Sequence, residues 1–360
     1  MCKERKRPDV KFKPYRRPDR TGWSRVEYPR SRRLARPLME ELNMVAANGP
    51  AAVSIYLNTE KQHSNVFGVR GKSHHQGLAR THKLSDGSLY YFLTHSVFTD
   101  WPHQDPRQGQ IMRFRYEGLT DGEHVVQMKA VAALEQLLEF PDESHPCDLE
   151  FLPDVNPGQN DSGYLFVAMS DKHSTDIFSW QLGGDFQFIG SLPDGGGLVA
   201  LDRLDDEYYC LWTGGMCYRA RYDKLFPSSL PGRLDTTAFE KLPGAFIPAA
   251  FNGSACQVKL VQDSDGQWWL LGFRSKEPDK ERTEDYVDAY RFDMATFSIG
   301  DAQPPVHIFL PSGDTSFAST GTCHVDTNGR LLISSSYRWS EDEGPNGSGY
   351  VSRVDEVPSS

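Results

Sequence analysis

The sequence of 360 residues lacks any run of about 18 apolar residues, so it predicts no transmembrane helix. Its first residues, MCKERKRPDVKFKPYRR, have no apolar stretch behind their positive charges and are not typical of a secretory signal. The six cysteines include no C-x-x-C pair, which argues against a zinc or thioredoxin-like motif and favours free thiols. A reducing, cytoplasmic setting is therefore expected.

The sequence also lacks the short motifs that name a reaction. It has no G-x-S-x-G elbow, Walker loop, dinucleotide fingerprint, H-E-x-x-H pair or EF-hand loop. Its composition, with 38% hydrophobic and 24% charged residues, is nevertheless that of a globular protein. No cofactor is required by any pattern in the sequence.

The net charge of -10 hides two segments of opposite charge. Residues 1–37 hold about 14 Lys and Arg against about 4 acids, so the remainder is strongly acidic. We interpret residues 1–37 as a basic, proline-rich N-terminal arm that could bind nucleic acid or another anionic surface. The arm could equally lie along its own acidic body.

After the arm, the chain changes period twice. RPLMEELNMVAANG predicts a helix, with Pro37 at an early position and Asn48-Gly49 as its end. AAVSIYL, residues 51–57, is rich in β-branched and aromatic residues and predicts a strand. We assign residues 38–360 to one domain.

A loose repeat of roughly 50 to 70 residues follows and fits propeller blades. Its unit is an inner run, a turn and an aromatic-rich strand, and the five copies are HHQGLARTHKLSDGSLYYFLTHS, HPCDLEFLPDVNPGQNDSGYLFVAMSD, GGGLVALDRLDDEYYCLWTGG, SACQVKLVQDSDGQWWLLGFRS and STGTCHVDTNGRLLISSSYR. Asp86-Gly87, Asp265-Gly266 and Asn328-Gly329 are expected as two-residue hairpin turns. The prediction is an all-β, five-bladed β-propeller, with six blades as the alternative.

Ring closure supports the prediction of five blades. The last copy supplies only three strands, and the strand at residues 51–57 has no neighbours at its own end of the chain. An N-terminal strand that completes the last blade would solve both problems and remove an exposed edge.

The repeat aligns histidines at the starts of the inner strands, where a propeller's central funnel opens. His75 and His145, with His74 beside them, are the candidate acid and base groups, and His75 with His145 could hold a divalent metal ion. Arg80 is a further catalytic candidate that would orient an anionic group. The candidate substrate-binding residues are Arg70, Lys72, Trp101, Lys259 and His324.

One insertion in the repeats has the pattern of a helix. MKAVAALEQLLEF, residues 128–140, has apolar residues at three-to-four spacing, which predicts an amphipathic helix that could cover the funnel as a lid.

Two functions remain open at this point. The first is an enzyme of the lyase, cyclase or isomerase, or hydrolase class that acts on a small organic molecule in the funnel. The second is a non-catalytic interaction module whose basic arm contacts an anionic macromolecule. Propellers serve many functions, so the fold does not decide between them.

Overall fold

The structure is a computed structural model, and it describes most of the repeat region but not most of the arm. The described residues are 33–49, 53–58, 74–98, 107–116, 130–143, 145–153, 161–203, 208–227, 234–242, 255–279, 282–293, 296, 298–308, 317, 320–326, 328–336 and 351–359.

The described residues form mainly strands, together with two helices and one short 3₁₀ turn. The helices are α1 (Leu38–Asn48) and α2 (Tyr222–Leu225), and the 3₁₀ turn is Thr236–Ala238. The strands are β1 (Val53–Asn58), β2 (His74–Arg80), β3 (Leu89–Phe98), β4 (Arg107–Tyr116), β5 (Ala130–Glu143), β6 (Pro146–Pro153), β7 (Ser162–Met169), β8 (Ser174–Gln181), β9 (Gln187–Pro193), β10 (Val199–Arg203), β11 (Tyr208–Thr213), β12 (Met216–Arg221), β13 (Glu240–Lys241), β14 (Ala255–Gln262), β15 (Trp268–Asp279), β16 (Arg282–Asp293), β17 (Ser298–Ala302), β18 (Val306–Ile308), β19 (Gly321–Val325), β20 (Leu331–Ser336) and β21 (Val351–Pro358). None of the helices in this part of the chain is long and apolar enough to span a membrane.

The strands form five antiparallel blades, and the predicted five-bladed propeller is confirmed. Blade 1 is β2 to β5, blade 2 is β6 to β9, blade 3 is β10 to β13, blade 4 is β14 to β17 with β18, and blade 5 is β19 to β21 with β1. The inner strands β2, β6, β10, β14 and β19 contact one another in a closed ring around an axis. Clusters of buried apolar side chains fill the spaces between neighbouring blades.

The ring closes as predicted. Strand β1 pairs antiparallel with β21, with Ile55 opposite Val354, and so supplies the fourth strand of blade 5. It also pairs in parallel with β5, which joins blades 1 and 5 into one eight-stranded sheet. Ile55 and Leu57 are fully buried in the cluster between these two blades.

The predicted hairpin turns occur at the predicted positions, but each loop has three residues rather than two, because Leu84 pairs with Ser88, Asp263 with Gln267 and Asp326 with Arg330. Gly87, Gly266 and Gly329 have φ angles of 86°, 83° and 76°, which is the left-handed region that glycine enters without a steric cost. In each turn, the glycine N–H donates to a backbone carbonyl three residues earlier, at Leu84, Asp263 and Asp326.

The predicted helix at residues 128–140 is wrong. Residues Ala130–Glu143 form strand β5, which pairs antiparallel with β4 and in parallel with β1. Pairing on both sides outweighs the local three-to-four spacing, because it satisfies the backbone polar groups of a segment that completes blade 1. A bulge opposite Arg113 and Phe114 interrupts the two-residue alternation. The segment therefore cannot be a helical lid.

The predicted helix after the arm is confirmed as α1, and it packs on blades 4 and 5. Leu38, Leu42 and Val45 are buried against them. Glu41 is also fully buried, and its Oε2 accepts the backbone N–H of Leu331 at 3.1 Å. The helix therefore covers part of blade 5, the blade that β1 completes.

Candidate active site

A buried ion cluster, here called the axial ion cluster, lies at the middle of the inner strands β6 and β14 and consists of Lys259, Asp148 and Glu150. Lys259 Nζ donates to Asp148 Oδ1 at 3.0 Å and lies 3.5 Å from Glu150 Oε2. It also donates to the backbone carbonyls of Leu149 at 3.0 Å and Val199 at 3.4 Å. Lys259 is fully buried, so it ties blades 2, 3 and 4 together rather than facing a funnel.

Asp148 is the centre of this cluster. Besides Lys259, it accepts the backbone N–H groups of Val199 at 3.0 Å and Val258 at 3.2 Å. Burial raises the pKa of Asp148 to about 6, although Lys259 and the backbone N–H groups act in the opposite direction. The cluster lies between the residues at the starts of the inner strands and those at their ends.

At the start of the inner strands, three side chains from two blades form a hydrogen-bonded chain. Gln76 Nε2 donates to His145 Nε2 at 2.7 Å, and His145 Nδ1 lies 2.7 Å from Ser170 Oγ. An amide nitrogen only donates, so Nε2 is the acceptor and the imidazole proton lies on Nδ1, which donates to Ser170. We call Gln76, His145, Cys147 and Ser170 the strand-start mouth.

Backbone hydrogen bonds and a bulge hold Gln76, His145 and Ser170 in place. Gln76 is the extra residue of a bulge in β2, between His75 and Gly77. The backbone N–H of His145 donates to Asp171 Oδ1 at 3.0 Å, and the N–H of Ser170 donates to the His145 carbonyl at 3.1 Å. Gln76, His145 and Ser170 are all partly exposed, so a ligand can reach them.

Cys147 lies beside the same imidazole but is not activated. Its Sγ is 3.6 Å from His145 Nδ1. Burial raises the pKa of the Cys147 thiol to about 11, so the thiol stays protonated near neutral pH and is a poor nucleophile.

The turns around Ser170 hold the described non-glycine residues that have positive φ. These are His173 at 48° and Asp194 at 60°. A Cβ at Gly196 would lie 3.2 Å from His173 Cα, so the two turns are in close contact. Backbone in sparsely populated regions is concentrated at functional sites, which makes this face a candidate.

At the other end of the inner strands, four blades converge on a small polar cavity of about 20 Å³. Its polar lining is Arg80 and His82 from blade 1, Asp202 from blade 3 and His324 from blade 5. The rings of His82 and His324 lie 4.5 Å apart. We call these four residues, with their apolar neighbours Phe151, Leu152, Pro153 and Leu201, the strand-end mouth.

The predicted site residues are distributed over both mouths and the blade interior. His145 lies in the strand-start mouth, whereas Arg80 and His324 lie in the strand-end mouth. Arg80 Nη1 donates to Glu356 Oε1 at 2.7 Å, and both side chains are buried.

His75 is fully buried inside blade 1. Its ring meets that of His95 on the neighbouring strand, with the centroids 5.4 Å apart, and His95 Nδ1 lies 3.2 Å from Gln110 Oε1. His75 and His145 therefore have different identified neighbours, and no group of three or more metal-ligating side chains is found among the described residues.

The remaining predicted residues are not described. Arg70, Lys72 and Trp101 lie outside the described residues, as does the side chain of His74, whose backbone begins β2.

Sequence reasoning missed Ser170, His82 and the role of Gln76. Ser170 directly follows the aromatic-rich strand of the second copy, and Gln76 stands next to His75, but neither pattern identifies a hydrogen-bond partner in another part of the chain.

Comparisons with known proteins find similar structures but no similar sequence. No protein-family model matches the chain, and no curated protein sequence matches it. A GDP-Man-dependent mannosyltransferase from Leishmania mexicana aligns at 10% identity and a TM-score of 0.43, covering 88% of this chain and 94% of that one. A mannose phosphorylase from the same organism aligns at 11% identity and a TM-score of 0.42, covering 88% and 92%. At this level of likeness, no function is transferred from these proteins.

Proposed function

We propose that the strand-start mouth is the active site of a hydrolase that cleaves a small ester or related acyl compound. The observation that supports this function is the chain Gln76–His145–Ser170, in which a hydroxyl lies 2.7 Å from an imidazole that a third side chain orients. A nucleophile within hydrogen-bond reach of a base, with the base held by a third group, is the arrangement used for nucleophilic catalysis.

Ser170 is the nucleophile in this proposal and His145 is the base. His145 Nδ1 takes the hydroxyl proton while Ser170 Oγ attacks the acyl carbon, and the bond from that carbon to the leaving group breaks. The leaving group receives the proton from His145. A water molecule, deprotonated by the same imidazole, then releases the acid and restores Ser170.

The base must first present a free lone pair on Nδ1. In the observed arrangement Nδ1 carries the proton, because the Gln76 amide nitrogen faces Nε2. A half-turn of the amide places its oxygen against Nε2 and favours the tautomer with the proton on Nε2. Gln76 is therefore a positioning residue that selects between the two tautomers.

Kinetics on full-length protein test this function. We expect hydrolysis of p-nitrophenyl esters, and S170A and H145Q should each lower kcat/KM by about a hundredfold or more. The matched control is S191A, since Ser191 is an exposed serine of the same blade that donates to Asp176 at 2.5 Å. Activity that is absent in the wild type, or equal in S170A and S191A, would contradict the proposal.

The Gln76→Glu variant gives a more specific test. A carboxylate in place of the amide can only accept from Nε2–H, so it fixes the tautomer that activates Ser170. We expect Q76E to raise kcat near neutral pH and Q76L to lower it, with KM nearly unchanged in both. A merely structural role for Gln76 would give a loss in both variants.

A further inference from the structure

We propose that the strand-end mouth binds the cationic head of a lysine or arginine side chain, and that the chain's own basic arm supplies it. This inference concerns the opposite end of the axis from Ser170 and does not depend on the proposed hydrolase. It rests on the course of residues 33–36, the lining of the mouth and its size.

The last residues of the arm run along the end of β14, at the same end of the inner strands as this mouth. Arg33 pairs in parallel with Gln262, at the end of the inner strand of blade 4. The N–H of Leu34 donates to the Gln262 carbonyl at 2.7 Å, on the edge of β14 that is not paired with β15. Since an inner strand has its blade on one edge and the axis on the other, this part of the arm reaches the axis.

Neighbouring turns hold the segment in place. The N–H of Ala35 donates to the Gly329 carbonyl at 2.8 Å, and the N–H of Ser264 donates to the Arg36 carbonyl at 3.3 Å. A Cβ at Gly329 would lie 2.8 Å from the Ala35 nitrogen, so the fit is close. Blades 1, 2, 3 and 5 line the cavity, and the arm enters at blade 4.

The charges of the mouth favour a cation. Arg80 and Glu356 form an ion pair that is nearly neutral as a whole. Asp202 adds a carboxylate that is 2% exposed, and the imidazoles of His82 and His324 line the same cavity. A carboxylate at a buried site attracts a positive group more strongly than one on the surface does, because the local dielectric constant is lower.

The size of the cavity favours the tip of a side chain over a whole organic molecule. Its volume of about 20 Å³ holds about one water-sized group. Phe151, Leu152 and Pro153 offer apolar surface at the rim, against which the methylene stem of a lysine or arginine can pack.

The basic residues of the arm are within reach. Arg30 and Arg32 lie outside the described residues and are within three positions of Arg33. An extended chain spans at most about 3.5 Å per residue, so both positions lie within about 11 Å of Arg33. The arm as a whole holds about ten more bases than acids.

Calorimetric titration of full-length protein tests the proposal. The probe is a synthetic peptide with the sequence of residues 24–33, SRVEYPRSRR, titrated into wild type, R30Q/R32Q, and R30Q/R32Q combined with D202N. The matched control adds D265N instead, because Asp265 is an exposed carboxylate in the turn that Arg33 contacts. H324Q replaces D202N if the melting temperature shows that D202N does not fold.

We expect the peptide to bind R30Q/R32Q at least tenfold more tightly than it binds the wild type, whose own arm competes at a high effective concentration. D202N should weaken that binding at least tenfold, and D265N should not. If the peptide binds the wild type and R30Q/R32Q equally and D202N weakens that binding, the mouth binds a cation from an external partner. That result would overturn the role of the arm. No binding, or equal effects of D202N and D265N, would overturn the whole proposal.

Discussion

Replacing Lys259 by methionine should destabilise the propeller strongly at neutral pH and much less in mild acid. Methionine keeps most of the side-chain length but removes the charge and every hydrogen bond that Nζ donates. Asp148 would then be a fully buried carboxylate without its counter-ion, and the Leu149 carbonyl would lose a donor at 3.0 Å. Removing one partner of a buried pair costs about 3–5 kcal/mol, and we expect a loss of this size at pH 7.5.

The pH dependence follows from the pKa of Asp148. Burial raises its folded pKa to about 6, above the ordinary value of 3.8 for an aspartate. The stability from this group is therefore fully present below pH 3.8 and is lost as the pH rises through 6, by about 3 kcal/mol in total. Without Lys259 the folded pKa rises further, so the acid is already neutral at pH 5. The cost of K259M should then fall to about 1–3 kcal/mol, the cost of unsatisfied buried polar groups.

Urea unfolding at pH 7.5 and pH 5, followed by tryptophan fluorescence, measures both values. The matched control is K241M, because Lys241 forms an exposed ion pair with Asp194 and should cost less than about 1 kcal/mol. K259M/D148N should recover much of the loss at pH 7.5, since asparagine keeps an acceptor for the Val199 and Val258 N–H groups. A cost below about 1 kcal/mol for K259M, or the same cost at both pH values, would refute the reasoning.

Three further predictions concern packing and thiol chemistry. Gly77→Ala should lower the free energy of unfolding in urea by about 2 kcal/mol or more, because its Cβ would lie 2.5 Å from the Cys147 carbonyl oxygen. Gly300→Ala is the control and should lower it by less than about 1 kcal/mol, because a Cβ there would lie 3.6 Å from its nearest neighbour. Leu57→Ala in the closing strand should cost about 2–5 kcal/mol, and an unchanged urea midpoint would argue against closure by β1. Cys147 should react with iodoacetamide at pH 8 about a hundredfold more slowly than a thiol of pKa 9, because less of it is ionised. Mass spectrometry of the alkylated peptide over time measures the rate. A rate equal to that of the reference thiol would contradict the raised pKa.

Much of the fold could be predicted because the signals were local and repeated. Each Asp-Gly or Asn-Gly pair marks a turn whose geometry needs glycine, and Gly87, Gly266 and Gly329 all adopt it. The closure by β1 followed from counting strands, since a three-stranded last copy and an unpaired first strand have one simple solution.

Strand β5 could not be predicted because its local pattern favours a helix. The apolar spacing in residues 128–140 is helical, and only the two neighbours β4 and β1 make the segment a strand. Strands β4 and β1 flank β5 in space but are far from each other in the sequence, so no short segment of the sequence contains the information that makes β5 a strand.

The candidate site was predicted only in part, for a similar reason. His145 was identified because the repeat places it at the start of an inner strand. Ser170 lies beside His145 because β6 and β7 of blade 2 are paired, with Pro146 opposite Met169. Gln76 joins them only because blades 1 and 2 meet at the axis, where Gly77 allows β2 to approach the Cys147 carbonyl closely. The structural role of Lys259 could not be predicted either, because its hydrogen bonds from blade 4 to blades 2 and 3 join residues that are far apart in the sequence.

Labelling of full-length protein with a fluorophosphonate probe tests whether His145 activates Ser170, and intact mass and the modified peptide are measured. We expect one probe per chain, attached to Ser170, with labelling lost in S170A, much slower in H145Q and faster in Q76E. Labelling at the same rate in the wild type and H145Q, or no adduct at Ser170, would contradict the claim that His145 activates this serine.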